Sequence, residues 1–222
     1  NQTALQFIDG NGIPDFHGRT PHAGTGGRSV CAAPFDGRRL GTDIERLKPP
    51  LEETTLWGMG IGSGAELRHF LNAMRSATSF WYVTRRVLAH WRDLVLHRRG
   101  MRLVNGNALT AGLLAAAREA GVDIRTSSPV LRLLREQDRV TGAVIKTAKG
   151  QQHILASRGV VLACGGFLHD ETRKQALLPH APTGREHWSA AAHGNTGDGL
   201  RLGESMGGSV DAHLVQAAVL AP

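Results

Sequence analysis

Apolar and polar positions change rhythm several times along this chain, and each rhythm predicts a different element. The clearest stretch begins at Leu103-Val104, a short strand, followed by a turn at Asn105-Gly106-Asn107. Ala108 to Ala120 is rich in Ala and Leu at helical spacing, and Gly121 stands where a helix C-cap belongs. Val122-Asp123-Ile124 reads as the next strand. Pro129 to Leu134, Val140 to Thr147 and Gln152 to Leu155 then read as three short strands, with Asp138-Arg139 and Lys149-Gly150 in the turns. Three such strands in succession form an antiparallel meander. The chain next enters Val160-Val161-Leu162-Ala163, wholly apolar, which predicts a strand buried on both faces. That run stops at Cys164 and the pair Gly165-Gly166. Glycines there let the backbone turn sharply and approach a ligand, and ligands of open α/β sheets sit at the carboxyl ends of strands.

Earlier in the chain the pattern is helical. One helix is expected from Ala65 to about Thr78 and another from about Phe80 to His97, with Trp81, Leu88, Trp91 and Val95 near helical spacing on its inward side. Arg85, Arg86, Arg92, Arg98 and Arg99 fall on its exposed side. Residues 1–50 show little periodicity and much Gly, Pro, Asp and His, which predicts long loops anchored by Phe16, Val30 and Phe35. After Phe167 a helix is expected over Asp170 to Leu178, then a loop. The turn Gly194-Asn195-Thr196-Gly197-Asp198-Gly199 leads into a helix from Leu200 to about Met206, which Gly207-Gly208 ends.

With 222 residues and 41% apolar content, the chain can bury a sizeable core. No apolar run approaches the roughly 18–20 residues of a membrane helix, and no secretory signal opens the chain. Cys31 and Cys164 are far apart, which predicts two free thiols in a reducing, cytoplasmic setting. No Cys/His spacing matches a zinc site. The net charge of +7 rests on 22 Arg and 4 Lys. Such a balance fits an anionic cofactor as well as nucleic acid, but the arginines are scattered and form no single stripe.

Several motifs carry both a chemical and an ordinary reading. Gly60-Ile61-Gly62-Ser63-Gly64-Ala65 fits G-x-G-x-x-A before a helix, but the preceding Glu52 to Trp57 is a poor buried strand. The region of Thr78 to Arg86 also lacks the acidic residue a dinucleotide fingerprint needs. Gly24-Thr25-Gly26-Gly27 fails the spacing. Gly197-Asp198-Gly199 is a better candidate: an acidic side chain between glycines can accept from ligand hydroxyls, or can simply cap the helix. The eleven histidines form no recognisable constellation, with His193 set apart by its place before the glycine turn. Tyr82, the single tyrosine, lies between Trp81 and Val83, which favours packing or an interface over catalysis. No nucleophile–base set follows from spacing.

Arg158 to Phe167 and Gly194 to Glu204 together resemble the fumarate reductase/3-ketosteroid Δ1-dehydrogenase family of flavoproteins. Gly27-Arg28-Ser29-Val30, Pro34 to Gly41 and Leu103 to Leu109 resemble its ketosteroid-dehydrogenase-like branch. The resemblance implies an α/β fold: part of a two-dinucleotide-fold FAD-binding domain, a parallel sheet with an antiparallel meander, plus irregular and helical segments. Implied domains are a packing segment (1–100), the second half of the FAD domain (101–168) and the start of a substrate-capping domain (169–222). It implies FAD contacts at Val130, Ala163, Cys164, Gly165 and Asp198, with Cys164 standing where the family commonly has Thr. Neither the tyrosines nor the arginine that catalyse in this family map onto the sequence by motif. The amino-terminal fingerprint strand is absent, so an internal fragment is expected, binding FAD weakly or not at all without the remainder of its own chain. The implied activity is α,β-dehydrogenation, or the reverse reduction, of a ketone-activated small-molecule substrate, a ketosteroid first. The alternatives are a fumarate/succinate-type reductase and a basic non-catalytic module for protein or nucleic-acid contact.

Overall fold

The Gly- and Pro-rich front of the chain holds more regular structure than its composition predicts. A computed structural model describes residues 7–9, 21–24 and 30–213. The expected anchor Phe16 and most of the glycine run at 24–27 lie outside the described residues. Strand β1 (Phe7–Asp9) pairs antiparallel with β2 (Val30–Ala32). After β3 (Phe35–Asp36) the chain enters a 3₁₀ helix, Gly37–Arg46, where a loop was expected. Asp36 caps it, accepting from the Arg38 amide at 3.1 Å. The spacing of Leu40, Ile44 and Leu47 puts all three on one face, and all three are buried. A fully buried leucine such as Leu40 contributes about 1.5–3 kcal/mol, enough to hold a segment of weak intrinsic propensity.

β4 (Thr55–Leu56) and β5 (Met59–Gly60) form a two-stranded hairpin. The G-x-G-x-x-A stretch therefore follows a two-residue hairpin strand, not the buried strand a phosphate loop needs. The single helix expected from Ala65 to Thr78 is shorter, α1 (Ala65–Leu71). Asn72 ends it by donating its amide to the Arg68 carbonyl at 2.8 Å. Ser76 then caps a new helix, α2 (Ala77–His97).

The face of α2 is reversed from expectation. Trp81, Leu88, Trp91 and Val95 are exposed, Leu88 at 64% and Trp91 at 56%. Buried instead are Ser79, His90 and Asp93. The cause is a set of polar partners already waiting inside. Glu66 of α1 accepts from Arg86 Nε at 2.9 Å and from Arg102 Nη1 at 2.8 Å. His90 Nε2 donates to the Trp57 carbonyl at 3.1 Å. Asp93 accepts from the Met101 amide at 3.2 Å and from Arg38 at 2.5 Å. Arg86 and Arg99, expected on the exposed side, are half-buried; Arg99 donates to the carbonyls of Ile44 and Leu47.

β6 (Arg102–Leu103) pairs antiparallel with β3, not in parallel with a following strand. α3 (Asn105–Glu119) starts earlier than expected, taking the Asn-Gly-Asn turn as its first turn. Ala108, Ala111 and Gly112 are its buried residues, small enough for close packing on Phe35, Leu40, Met101 and Leu103. Its end is a Schellman motif. Gly121, at φ 74°, donates to Arg118 O and Val122 donates to Ala117 O. Val122-Asp123-Ile124 forms no strand.

Residues 1–124 and 125–222 make two compact units. In the second, β7 (Val130–Glu136), β8 (Arg139–Thr147) and β9 (Gly150–Leu155) form the expected meander, fully antiparallel. β8 is central, and Gly142 is required there: a Cβ would lie 2.2 Å from the Ile154 carbonyl oxygen. α4 (Glu171–Leu177) is capped by Asp170. α5 (Asp198–Glu204) begins two residues earlier than expected and packs Leu202 on Leu133 and Ala143.

The expected buried strand at Val160 to Ala163 is not formed. Among the described residues the run pairs with no strand. Val160 packs on the Leu133 cluster, but Val161 is 89% exposed. A strand state needs a neighbour's hydrogen bonds, and no described strand pairs with this segment. All sheets among the described residues are antiparallel, so the fold is mixed helix with small antiparallel sheets.

Candidate functional site

The glycine-rich turn at 194–199 lies across the segment that follows Val160–Ala163. The Gly197 amide donates to Gly166 O at 3.0 Å, and the His169 amide donates to Asn195 O at 3.0 Å. Gly165 sits at φ 78°, and a Cβ on it would fall 2.3 Å from Asn195 Oδ1. A side chain at 165 would therefore be strained in its backbone and would have to displace the Asn195 side chain. A Cβ on Gly199 would touch Cys164 Cβ at 3.5 Å. The structure thus brings Cys164, Gly165 and Asp198 together, with Ala163 next in line. Val130 belongs to a different element, opening β7 opposite Ile145.

Cys164 was expected in a buried strand and is instead an exposed free thiol, because its segment pairs with no strand. Ala163 and Gly165 are exposed with it, and the backbone groups of these three residues make no hydrogen bond among the described residues. Asp198 is the first residue of α5, not its cap; Gly197 holds that position. Its carboxylate pairs with Arg201.

Sequence reading passed over the ion network beneath this turn. Arg173 donates to both oxygens of Glu204, at 2.5 and 3.2 Å, and its Nε lies 3.6 Å from Asp170 Oδ2. The Arg173 hydrogen bond holds the Glu204 carboxyl below its ordinary range. Arg201 donates to the Thr196 carbonyl at 2.7 Å. Asp170, three residues before Arg173 and at the N-cap position of the expected helix, was the legible signal. Asn195 was legible as part of the glycine turn, but its contact with Gly165 was not.

The remaining candidates are structural. Tyr82 stacks on His69, ring centroids 4.5 Å apart, as its neighbours suggested. His193 stands 5.0 Å from His169, ring to ring. His180 and His187 meet at 2.9 Å, and burial, then the charges of His180 and Lys174, pushes His187 below its ordinary value. Among the described residues no group of three or more His, Cys, Asp or Glu is placed to hold a metal. No helix there is long and apolar enough to cross a membrane.

Comparison with known proteins agrees with the resemblance. Residues 2–222 match the family model of an FAD binding domain, so the chain belongs to that family. It is 31% identical to the 4-oxocyclohex-2-ene-1-carboxylate 5-dehydrogenase of Sinomonas cyclohexanicum, covering 100% of this chain and 37% of that protein. It is 33% identical to the 3-oxosteroid 1-dehydrogenase of Comamonas testosteroni, over 88% of this chain and 36% of the relative. Among solved structures, the 3-ketosteroid delta1-dehydrogenase of Sterolibacterium denitrificans in complex with 1,4-androstadiene-3,17-dione aligns with a TM-score of 0.78 at 31% identity. That alignment covers 93% of this chain and 37% of the other. The chain thus spans well under half the length of these relatives. The family implies FAD, and the residues present fit it: an exposed backbone segment with free donors and acceptors, next to glycines that leave no side chain in the way.

Proposed function

We propose that this chain supplies one side of the FAD site of an oxidoreductase that dehydrogenates a ketone-bearing ring. The observation that carries this reading is the agreement of two relatives. Their names place the dehydrogenation one or two ring positions from an oxo carbon, once on a steroid and once on a cyclohexenone. An oxo group acidifies the neighbouring C–H, so hydrogen leaves as a proton from one carbon and a hydride from the next. FAD, when bound, takes up the hydride; the protein supplies placement.

In this reading the free backbone groups of Ala163, Cys164 and Gly165 hold the nucleotide, and Gly165 permits the close approach. The backbone near Val130 faces the adenine. Asp198 exchanges its Arg201 contact for a cofactor hydroxyl. Val160 to Ala163 becomes a sheet strand once a neighbour pairs with it. A ketosteroid is the first-choice substrate, and a cytoplasmic setting fits the free thiol of Cys164.

The test is an assay of the complete gene product with FAD and an artificial electron acceptor, on a 3-ketosteroid against succinate. Turnover of the ketosteroid alone is expected. Oxidation of succinate alone, or of neither, overturns the reading. The 222-residue chain by itself should lose FAD on gel filtration; a yellow protein peak would contradict that.

A further inference from the structure

A cleft of about 350 Å³ opens in the first unit, and none of the residues discussed as cofactor contacts lines it. Its apolar wall is Pro34, Phe35 and Ala89. Its charged lining is Arg38, Arg86 and Arg92 with Arg102 of β6, four guanidiniums on one space, together with the carboxylates Asp36 and Asp93. Among the described residues the carboxylates that touch them are three. Glu66 serves both Arg86 and Arg102, Asp93 serves Arg38 and Arg92, and Asp36 pairs with Arg38 at 3.1 Å. One positive charge is left over, and each guanidinium has five donors of which these contacts use only some.

Arg86 sharpens the case. Its Nε is held by Glu66, but its Nη2 is buried with no hydrogen-bond partner among the described residues. A buried unsatisfied donor costs about 1–3 kcal/mol, more for a charged group. Native proteins rarely keep one without a ligand, ion or water to answer it. Arg86 lines the cleft, so an oxygen acceptor bound among the four arginines would lie beside this guanidinium. Arg92 is the most available of the four: its side chain is 64% exposed and its contact with Asp93 is a long 3.5 Å.

We propose that this cleft is a binding site for an organic carboxylate with a compact apolar body. The planar guanidinium fork matches a carboxylate in bidentate fashion. The Pro34, Phe35 and Ala89 wall accommodates a small ring, and the volume equals about a dozen waters, within the range of small-molecule sites. The site lies wholly within residues 1–124 and does not depend on the flavin reading.

The experiment is calorimetric titration of the 222-residue chain at low ionic strength with benzoate, with benzamide as its uncharged counterpart, and with inorganic phosphate. Benzoate should bind saturably and at least tenfold more tightly than either. Arg92→Gln should weaken benzoate about tenfold without changing the melting temperature of the free protein. Arg85→Gln, removing an exposed charge on the same helix that does not line the cleft, should leave binding unchanged. Equal affinity for benzoate and benzamide overturns the proposal. Equal losses in the two arginine variants reduce it to general charge and also overturn it. Phosphate binding as tight as benzoate removes the role of the apolar wall and overturns the commitment to a carboxylate.

Discussion

Helices α2 and α3 stand in the same unit and bury opposite chemistry. α3 turns Ala108, Ala111 and Gly112 onto an apolar cluster, as its sequence predicts. α2 buries Ser79, His90 and Asp93 and leaves Trp81, Leu88, Trp91 and Val95 to solvent. Both follow the helical period. Periodicity identifies a face; it does not say which way the face points. What decides for α2 is that Glu66, Arg102, the Trp57 carbonyl and the Met101 amide already need partners on the inner side. Each buried polar group without a partner would cost about 1–3 kcal/mol, more for the charged ones, and several would be stranded together, so the polar face goes in.

The strongest attack on this contrast removes the centre of the polar interior. Glu66→Leu strips Arg86 and Arg102 of their shared carboxylate and leaves a half-buried charge unpaired. A loss of about 3 kcal/mol is expected, at the low end for a broken buried pair because Arg102 is one-third exposed. Urea unfolding reads it as a lower midpoint at unchanged slope. A loss under about 0.5 kcal/mol would mean that α2 is held by something other than its polar face.

A smaller effect separates the two helix ends. α3 stops at Gly121 with φ 74°, whereas α2 stops at Arg98 with φ 60°, where a side chain is strained. Gly121→Ala should cost about 1 kcal/mol, and Arg98→Gly should gain about 0.5 kcal/mol. Opposite signs in the same unfolding measurement are the expected result; two losses would show that Arg98 contributes contacts that outweigh its strain.

The smallest expected effect is the most informative about the outer face. Leu88→Ser should change the stability of this chain by less than about 0.5 kcal/mol, because Leu88 is exposed. A loss above about 1 kcal/mol in the same assay would reveal that the stripe is covered in solution and that the contrast with α3 is one of partners, not of direction.

What the chain determines by itself is local. The β7–β9 meander follows from three short runs of strand-forming residues, with Asp138 and Lys149 in the turns between them. The end of α3 follows from Gly121, the start of α4 from the N-cap Asp170, and the glycine turn before α5 from its own composition. The family resemblance rests on the same local motifs. Tertiary structure decided the rest. The 3₁₀ helix at Gly37–Arg46 exists because Leu40 and Ile44 find a buried place against α3 and β6, which no local pattern announces. Val160 to Ala163 has the composition of a buried strand, yet a strand is defined by a neighbour's hydrogen bonds and not by its own residues. The orientation of α2 depends on charges and carbonyls from residues 57, 66, 101 and 102. The close fit of Gly165 against Asn195 joins two segments thirty residues apart, and it could be seen only once the backbone had brought them together.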